Sequence, residues 1–360
     1  MGEVRGGGVD AVFEGHEGDE GRPPERPRRR RGWRIAIVGV LLLGLLFVGG
    51  VFAYLAFLNN TVSDNLTYEP LLPEEEERVT TQDGTMLPVP VERPEEAGDA
   101  LNYLVLGSDS RDLDAERGRS DVIILMHISD DRERVDLIHF PRDYFVDIPG
   151  SSRPNKINAA YSIGGAPLLV ETIQPLIGVP IDSVAIVNFE SFKALTNAVG
   201  GVEVNVAEAS PGFPEGTMRM DGETGLEFVR ERYALSQGDI SRGQRQQAFI
   251  KAVMLKVLSR ETLTNPARLS EVVDAATSNL TVDDNLDVAK MRSLAFSMRD
   301  VRGNDIHFET APWSGIGSDD VAGSIVLPAQ EQLVDLTEHL QTDTMEDYTD
   351  DVSPQTGFSN

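Results

Sequence analysis

Apolar positions along this chain fall into three patterns. The first is one long run: Ile35 to Leu58 carries no charge and is mostly apolar. As a helix it measures ~36 Å at ~1.5 Å per residue, enough to cross a hydrocarbon layer of ~30 Å. The second is a set of short blocks bounded by turn residues. Leu101–Leu106 (ending at Gly107), Val122–Ile128, Val135–Phe140, Val184–Phe189 and Val202–Val206 read as buried strands, with the charged turn Asp130–Arg134 between the second and third. His307–Thr310 and Ser324–Leu327 are weaker strands. The third pattern has helical spacing. It covers Asn158–Ile163 and Pro167–Ile177, closed by Gly164-Gly165 and Gly178, then Glu190–Val199, stopped by Gly200-Gly201. Phe249, Ile250, Val253, Met254, Val257 and Leu258 mark a long helix over Arg242–Leu258, and Pro266–Thr277, Val288–Met298 and Ala329–Leu340 follow. Strands interleaved with helices predict a three-layer α/β/α domain with a central mixed sheet, preceded by one transmembrane helix.

The segments around these elements give five regions. Residues 1–34 are rich in Gly, Pro and charge and read as a disordered cytoplasmic tail, and residues 35–58 as the membrane helix. Residues 59–99, acidic and broken by Pro70, Pro73, Pro88, Pro90 and Pro94, read as an extracytoplasmic stem. The globular domain spans 100–341, and 342–360 is a polar, acidic, disordered tail. Arginines from Arg26 to Arg34 precede the apolar run, while Asp64, Glu69 and Glu74 to Glu77 follow it. The positive-inside rule then puts the N-terminus in the cytoplasm and the domain outside a cell membrane crossed once. A cleaved signal peptide is the alternative, but the run is too long for its apolar core and no small-x-small site follows.

Charge and composition remove several function classes. With 59 acidic and 32 basic residues and a net charge of -27, the chain does not suit a nucleic-acid partner. The absence of cysteine excludes disulfides, thiolate metal sites and cysteine nucleophiles. There is no P-loop and no G-x-G-x-x-G. Ser108 and Ser110 lack a histidine partner, because His127 and His139 fall inside strand patterns, where packing roles are expected.

What remains is a set of arginines and aspartates. Arg230, Arg232, Arg242 and Arg245 lie within sixteen residues, and the last two enter the long helix, with Asp239 or Ser241 as its N-cap. Arg242 and Arg245 are expected in the first turn, where the helix dipole disfavours cations unless an anion binds there. A solvated face, with those arginines paired to Asp239 and Glu231, is the alternative. Asp109 follows the first strand and Asp121 opens the second, so both flank one loop at the end of the sheet where α/β folds place ligands. Two carboxylates without a nearby His or Cys suit a hard cation, Mg²⁺ first with Mn²⁺ as the alternative. Arg142 ends the third strand, and Lys156 opens the next helix with the same dipole conflict as Arg242. Together with Arg119, these cations predict a site for a diphosphate bridged by the metal.

Gly107-Ser-Asp109-Ser-Arg111, Arg119-Ser-Asp121, Pro141-Arg142-Asp143, Lys156-Ile-Asn-Ala-Ala-Tyr161, Gly200-Gly201-Val202-Glu-Val204, Arg230-Glu-Arg232 and Asp239 … Arg242 … Arg245-Gln246-Gln247 occur in order. In that order and spacing, over about Leu101 to Leu258, the chain resembles the LytR-CpsA-Psr family. His139-Phe140 and Asn197 depart from its pattern. The resemblance implies a membrane-anchored phosphotransferase that moves a glycopolymer, such as teichoic acid, arabinogalactan or capsule, from a polyprenyl-pyrophosphate carrier onto peptidoglycan. It implies Asp109 and Asp121 as Mg²⁺ ligands. Arg119, Arg142, Lys156, Arg230, Arg232, Arg242 and Gln246 would bind pyrophosphate, and Asp239 would be a carboxylate that orients arginines or accepts a sugar proton. Asp109, Asp121, Asp239 and Arg230 form the expected catalytic set, and the polyprenyl chain is expected in an apolar tunnel between sheet and helices. A polyprenyl-pyrophosphate hydrolase using the same residues and a non-enzymatic envelope regulator are the alternative readings.

Overall fold

The computed structural model describes residues 29–73, 91–108, 120–231, 234–236 and 239–350, with backbone alone for 29–45, 121, 189, 239 and 240. The chain divides into two units at Leu55. The first is most of helix α1 (Arg29–Asn65), which begins before and ends after the expected 35–58. Its stretch Leu46–Asn65 has a mean hydropathy of 1.4 and is long and apolar enough to cross a membrane. Leu46, Phe47 and Phe52 are exposed, as side chains meant for lipid would be.

The second unit is built on a seven-stranded mixed sheet. Strand β1 (Thr67–Glu69) lies at one edge, followed in the chain by β2 (Leu101–Ser108), β3 (Ser120–Ile128) and β4 (Val135–Phe140). A short hairpin, β5 (Phe145–Val146) with β6 (Asn155–Lys156), leads into α2 (Ile157–Ile177), β7 (Ser183–Asn188) and α3 (Phe189–Ala198). A second hairpin of β8 (Val202–Val206) and β9 (Gly216–Met220) precedes α4 (Gly222–Arg230) and α5 (Asp239–Val257). Then come α6 (Arg260–Leu263), α7 (Pro266–Thr277), β10 (Leu280–Asp283) and α8 (Val288–Ser297). The chain continues as β11 (Ile306–Thr310), the hairpin β12 (Trp313–Asp319) with β13 (Gly323–Pro328), and α9 (Gln330–Thr342). Sheet order is β1-β10-β7-β2-β3-β4-β11.

Every residue of β4 is buried, which requires cover on both faces. One face packs Leu104, Leu106 and Ile138 with Leu169 and Ile173 of α2 and Leu336 of α9. The other packs Tyr103, Ile124 and Leu137 with Ile250 and Met254 of α5 and Met291 and Leu294 of α8. A third cluster joins α3, α4, α5 and α7 to the β8–β9 hairpin. The three-layer α/β/α expectation holds.

Several local expectations change. The two helices expected at 158–163 and 167–177 form one element, broken at Gly165 (φ 71°) just before Pro167. Strands β1, β9, β10 and β12 and helix α4 were not legible, being short or lacking apolar period. Residues 67–72, assigned to the stem, are built into the domain: β1 pairs in parallel with β10, and Leu71 and Leu72 donate their amides to the Asp283 carboxylate at 2.8 and 2.9 Å. The acidic end of the chain is also docked as far as Asp350. Met345 and Tyr348 are buried in the core, and Asp343 accepts the Asp130 amide at 2.9 Å. A few anchoring apolar side chains outweigh an otherwise polar composition there. Gly201, at φ 81°, has no room for a side chain: a Cβ would stand 2.9 Å from the Met220 carbonyl oxygen.

Candidate functional site

Strands β2, β4, β7 and β11 all end on the same side of the sheet, where the antiparallel β3 begins. Gly107 pairs with Val122 but Ser108 pairs with Ser120, so Asp121 is an extra residue and forms a β-bulge. A Cβ on Gly107 would come within 2.9 Å of the Val122 Cβ, so this tight crossing requires glycine. Residue 109 directly follows the last paired residue of β2, and residue 121 lies on the bulge across from it. Ser108 and Ser120 are the described ends of the loop that joins β2 to β3. Asp109, Arg119 and the rest of that loop lie outside the described residues, as do Arg232 and the side chains of Asp121 and Asp239. Among the described residues no group of three or more His, Cys, Asp or Glu could hold a metal. The donor chemistry of Asp109 and Asp121, hard oxygens only, fits Mg²⁺.

Behind this sheet end an apolar cavity of about 190 Å³ opens between β2, β3, β7 and helices α3, α4 and α5. Its lining includes Leu106, Gly107, Val122, Val229, Ile250, Val253 and Met254, with Asn188 and Gln246 as its polar members. Gln246 is 6% exposed, and its amide nitrogen lies 3.4 Å from the Val229 carbonyl. Three expected site positions adjoin or form this wall: 121 just before Val122, 230 just after Val229, and Gln246 itself. Arg230 is exposed in the last turn of α4, where the helix end favours a cation.

The first turn of α5 lies on the end of β4. A Cβ on Gly243 would sit 3.4 Å from Cε1 of His139, and Gln247 donates to the Thr310 hydroxyl at 2.8 Å. Arg242, 7% exposed, therefore neighbours His139, three residues before Arg142. Burial and then the Arg242 charge push the His139 imidazole down to about 4, so it is neutral at physiological pH. His127 is also buried, held by Asn102 at 2.8 Å and Asp343 at 3.1 Å at the opposite end of the sheet.

Two expectations for α5 change. Ser241 is inside the helix rather than capping it, and its hydroxyl donates to Glu208 at 2.9 Å. Arg245 is in the second turn, 3% exposed, with its guanidinium 4.5 Å from the Phe228 ring centre and donating to the Glu208 carbonyl at 2.7 Å. It is a packing residue, held by aromatic faces and a backbone oxygen. Glu208 itself had no sequence signal, since it lies in an aperiodic connection 33 residues before Ser241. Burial opposes its ionisation, but hydrogen bonds from Ser236 and Ser241 hold its carboxyl below the usual range. It thereby fastens the entrance to α5 and positions Arg242.

Arg142 and Lys156 share Asp143. Lys156 Nζ lies 3.0 Å from one carboxylate oxygen, and Arg142 Nε lies 3.8 Å from the other. The Asn158 amide donates to the Arg142 carbonyl at 3.2 Å, which ties the start of α2 to this turn. Arg142, Asp143 and Lys156 form one group, and Arg242, Gln246 and the cavity a second; the short path from His139 to Arg142 along the chain links them. Asn197, a departure from the family pattern, accepts the Gly222 amide at 2.9 Å and so serves the start of α4.

The chain matches the family model described as the LytR_cpsA_psr family over residues 58–342. It is 33% identical over 287 residues to the polyisoprenyl-teichoic acid–peptidoglycan teichoic acid transferase TagU of Oceanobacillus iheyensis, covering 77% of this chain and 84% of that one. The crystal structure of B. subtilis TagV superposes with a TM-score of 0.57 at 26% identity, over 69% of this chain and 98% of that one. A structure of TagT bound to LIIa-WTA gives 0.53 at 25% identity, over 69% and 92%. With its motifs in sequence order, its sheet end and its matched length in agreement, this chain belongs to the LytR_cpsA_psr family.

Proposed function

We propose that the chain is a membrane-anchored phosphotransferase that moves a glycopolymer from a polyprenyl-pyrophosphate carrier onto peptidoglycan. The observation that carries this reading is the cavity beside the charged sheet end. An apolar chamber opens at that sheet end, lined by Gln246 and by the sequence neighbours of Asp121 and Arg230, Val122 and Val229. A lipid chain and a pyrophosphate headgroup need that juxtaposition. The TagU relative is named for such a transfer, and TagT is described with LIIa-WTA bound. The helix of suitable length and hydropathy supports anchoring, and the flanking charges support an extracytoplasmic domain.

In the reaction, a peptidoglycan hydroxyl oxygen attacks the sugar-proximal phosphorus and the bond from that phosphorus to the bridging oxygen breaks. Polyprenyl phosphate leaves, and the hydroxyl proton passes to a base, for which Asp239 is the candidate. Arg230 and Arg242, with Arg119, Arg142 and Arg232, neutralise the charge that develops on the non-bridging and leaving oxygens, the largest contribution in phosphoryl transfer. His139, kept neutral, adds no proton to this group and holds the Arg242 turn against β4. Asp109 and Asp121 would hold Mg²⁺, which supplies further charge neutralisation when bound. Lys156 takes part through Asp143, fixing the turn that presents Arg142.

The test is transfer by the purified full chain from a polyprenyl-pyrophosphate-linked glycan to peptidoglycan. Arg230→Ala or Asp109→Ala should abolish the glycan–peptidoglycan product while leaving the fold unchanged, and chelation of divalent cations should do so reversibly. Full activity in both variants refutes the site; free sugar phosphate as the only product makes the chain a hydrolase.

A further inference from the structure

Helix α8 is unusual on this acidic chain. None of its residues is fully buried, yet it carries an exposed aromatic: Phe296 is 69% exposed. Between Lys290 and Arg302 there are four basic residues and one acid. Arg292 and Phe296, four residues apart, form a stripe on one face of α8, and Arg299 follows just past the helix end at Ser297. The Arg299 guanidinium sits 4.9 Å from the Phe296 ring centre, and its partner Asp300 is itself largely solvated.

The inward side of α8 fixes where that stripe lies. Met291 and Leu294 pack in one apolar cluster with Val62 and Leu66, and Arg292 reaches the Asn59 side chain at 3.5 Å. Asn59 is the first residue after the uncharged run that ends at Leu58. Val62 stands four residues beyond Leu58, ~6 Å along a helix. The polar zone of a bilayer leaflet is itself ~5–8 Å deep. An apolar ring flanked by arginines at that level matches a surface-lying helix that inserts its aromatic between headgroups while its cations meet phosphates. The same cluster contains Ile250 and Met254, which line the apolar cavity.

We propose that α8 is a second membrane contact, in which Arg292, Phe296 and Arg299 dock on anionic phospholipid headgroups of the membrane that anchors the chain. The rest of the domain, strongly acidic, is repelled by such a surface, so this patch selects one orientation. That orientation brings the cavity wall toward the leaflet carrying the lipid-linked substrate. The proposal rests on the anchored transferase reading for its purpose, but its test needs neither substrate nor transfer.

The chain has no cysteine, so Ala295→Cys, beside the stripe, gives one labelling site. The full chain, carrying a polarity-sensitive fluorophore there, is placed in lipid nanodiscs with phosphatidylglycerol or with phosphatidylcholine alone. Blue-shifted emission, quenched by brominated lipid in the anionic discs and weakened in the neutral ones and at high salt, is expected. One arginine near an anionic surface changes partitioning about fivefold, so Arg292→Glu with Arg299→Glu, which removes two cations and adds two anions, should lower the docked-to-undocked ratio by more than about 25-fold. Phe296→Ser should reduce quenching with the charges intact, and thermal unfolding should be unchanged in both variants. Emission typical of water in both lipids, equal quenching in both, or quenching that survives the charge reversal overturns the proposal.

Discussion

The two ends of the central sheet use charge in opposite ways. At the end where β3 finishes and β4 begins, a polar cavity of about 240 Å³ is lined by Asp131, Glu133, Asp136, Asp343 and Glu346 with His127 and Arg134. Asp136 and Asp343 are answered from within the protein. Arg134 binds the fully buried Asp136 through two nitrogens at 2.7 to 3.0 Å, and Asp343 is taken by His127 and the Asp130 amide. At the other end an apolar chamber is lined by Gln246 of α5, one turn after Arg242, and by Val229, the residue before Arg230 of α4. One end closes the chain on itself; the other presents charge beside a lipid-sized surface. A strong local field by itself therefore does not mark a site, and what its charges face does.

The largest effect expected from this contrast is on chemistry. Arg242→Ala should lower transfer at least about 10²–10³-fold, the cost of one lost donor to developing charge, with little change in far-ultraviolet dichroism. Near-normal turnover would mean that Arg242 belongs to the structural class with Arg245. The mirror experiment is Arg134→Ala at the closed end, which strands the buried Asp136 carboxylate. Denaturant titration should show a loss of about 3 kcal/mol, with turnover of the folded fraction intact.

His139 gives a smaller effect, dependent on pH. Its folded-state pKa is depressed to about 4 from 6.5. Stability is therefore full above 6.5 and falls as pH drops toward 4, by up to about 3 kcal/mol, while the unfolded state takes up a proton that the folded state refuses. His139→Gln should flatten that acid slope, and an unchanged slope would show that another group sets it. Glu309, where burial and then Asp136 push the carboxyl up to about 7, works in the opposite direction. It is protonated in the fold at low pH, so stability falls as pH rises from about 4.5 through 7. Glu309→Gln should recover about 2 kcal/mol at pH 8 after allowing for solvent screening, measurable as a higher Tm. The smallest effect concerns the chamber. Leu195→Phe should raise KM for a long-chain donor about tenfold and leave a short-chain analogue unaffected, since one overfilled apolar wall costs ~1–3 kcal/mol.

Much of this site could be seen in the linear chain because its parts sit at element boundaries that the sequence marks strongly. Gly107 and Asp109 follow an apolar block, Asp121 opens another, Pro141-Arg142 ends a third, and Arg242 precedes a clear helical period. Elements lacking such contrast were not legible. Strand β9 alternates only weakly, β10 has four residues, and β1 becomes a strand only because β10 offers it an edge. Arg242 and Arg245 are indistinguishable as letters three residues apart. One neighbours an imidazole at the sheet end; the other is enclosed by Phe213 and Phe228, which come from separate elements.

The sequence by itself determined the membrane-length helix, the layered α/β order, the acidic character and the element boundaries at which the candidate site residues stand. Each of these depends on local composition or period, which neighbouring residues carry among themselves. The docking of residues 343–350, the clamp of Glu208 on α5, the neutral state of His139 and the packing of α8 with Val62 and Leu66 were decided only by tertiary structure. These depend on partners tens to hundreds of residues away, and on burial, which alters a group's charge and contacts only once the chain has closed around it.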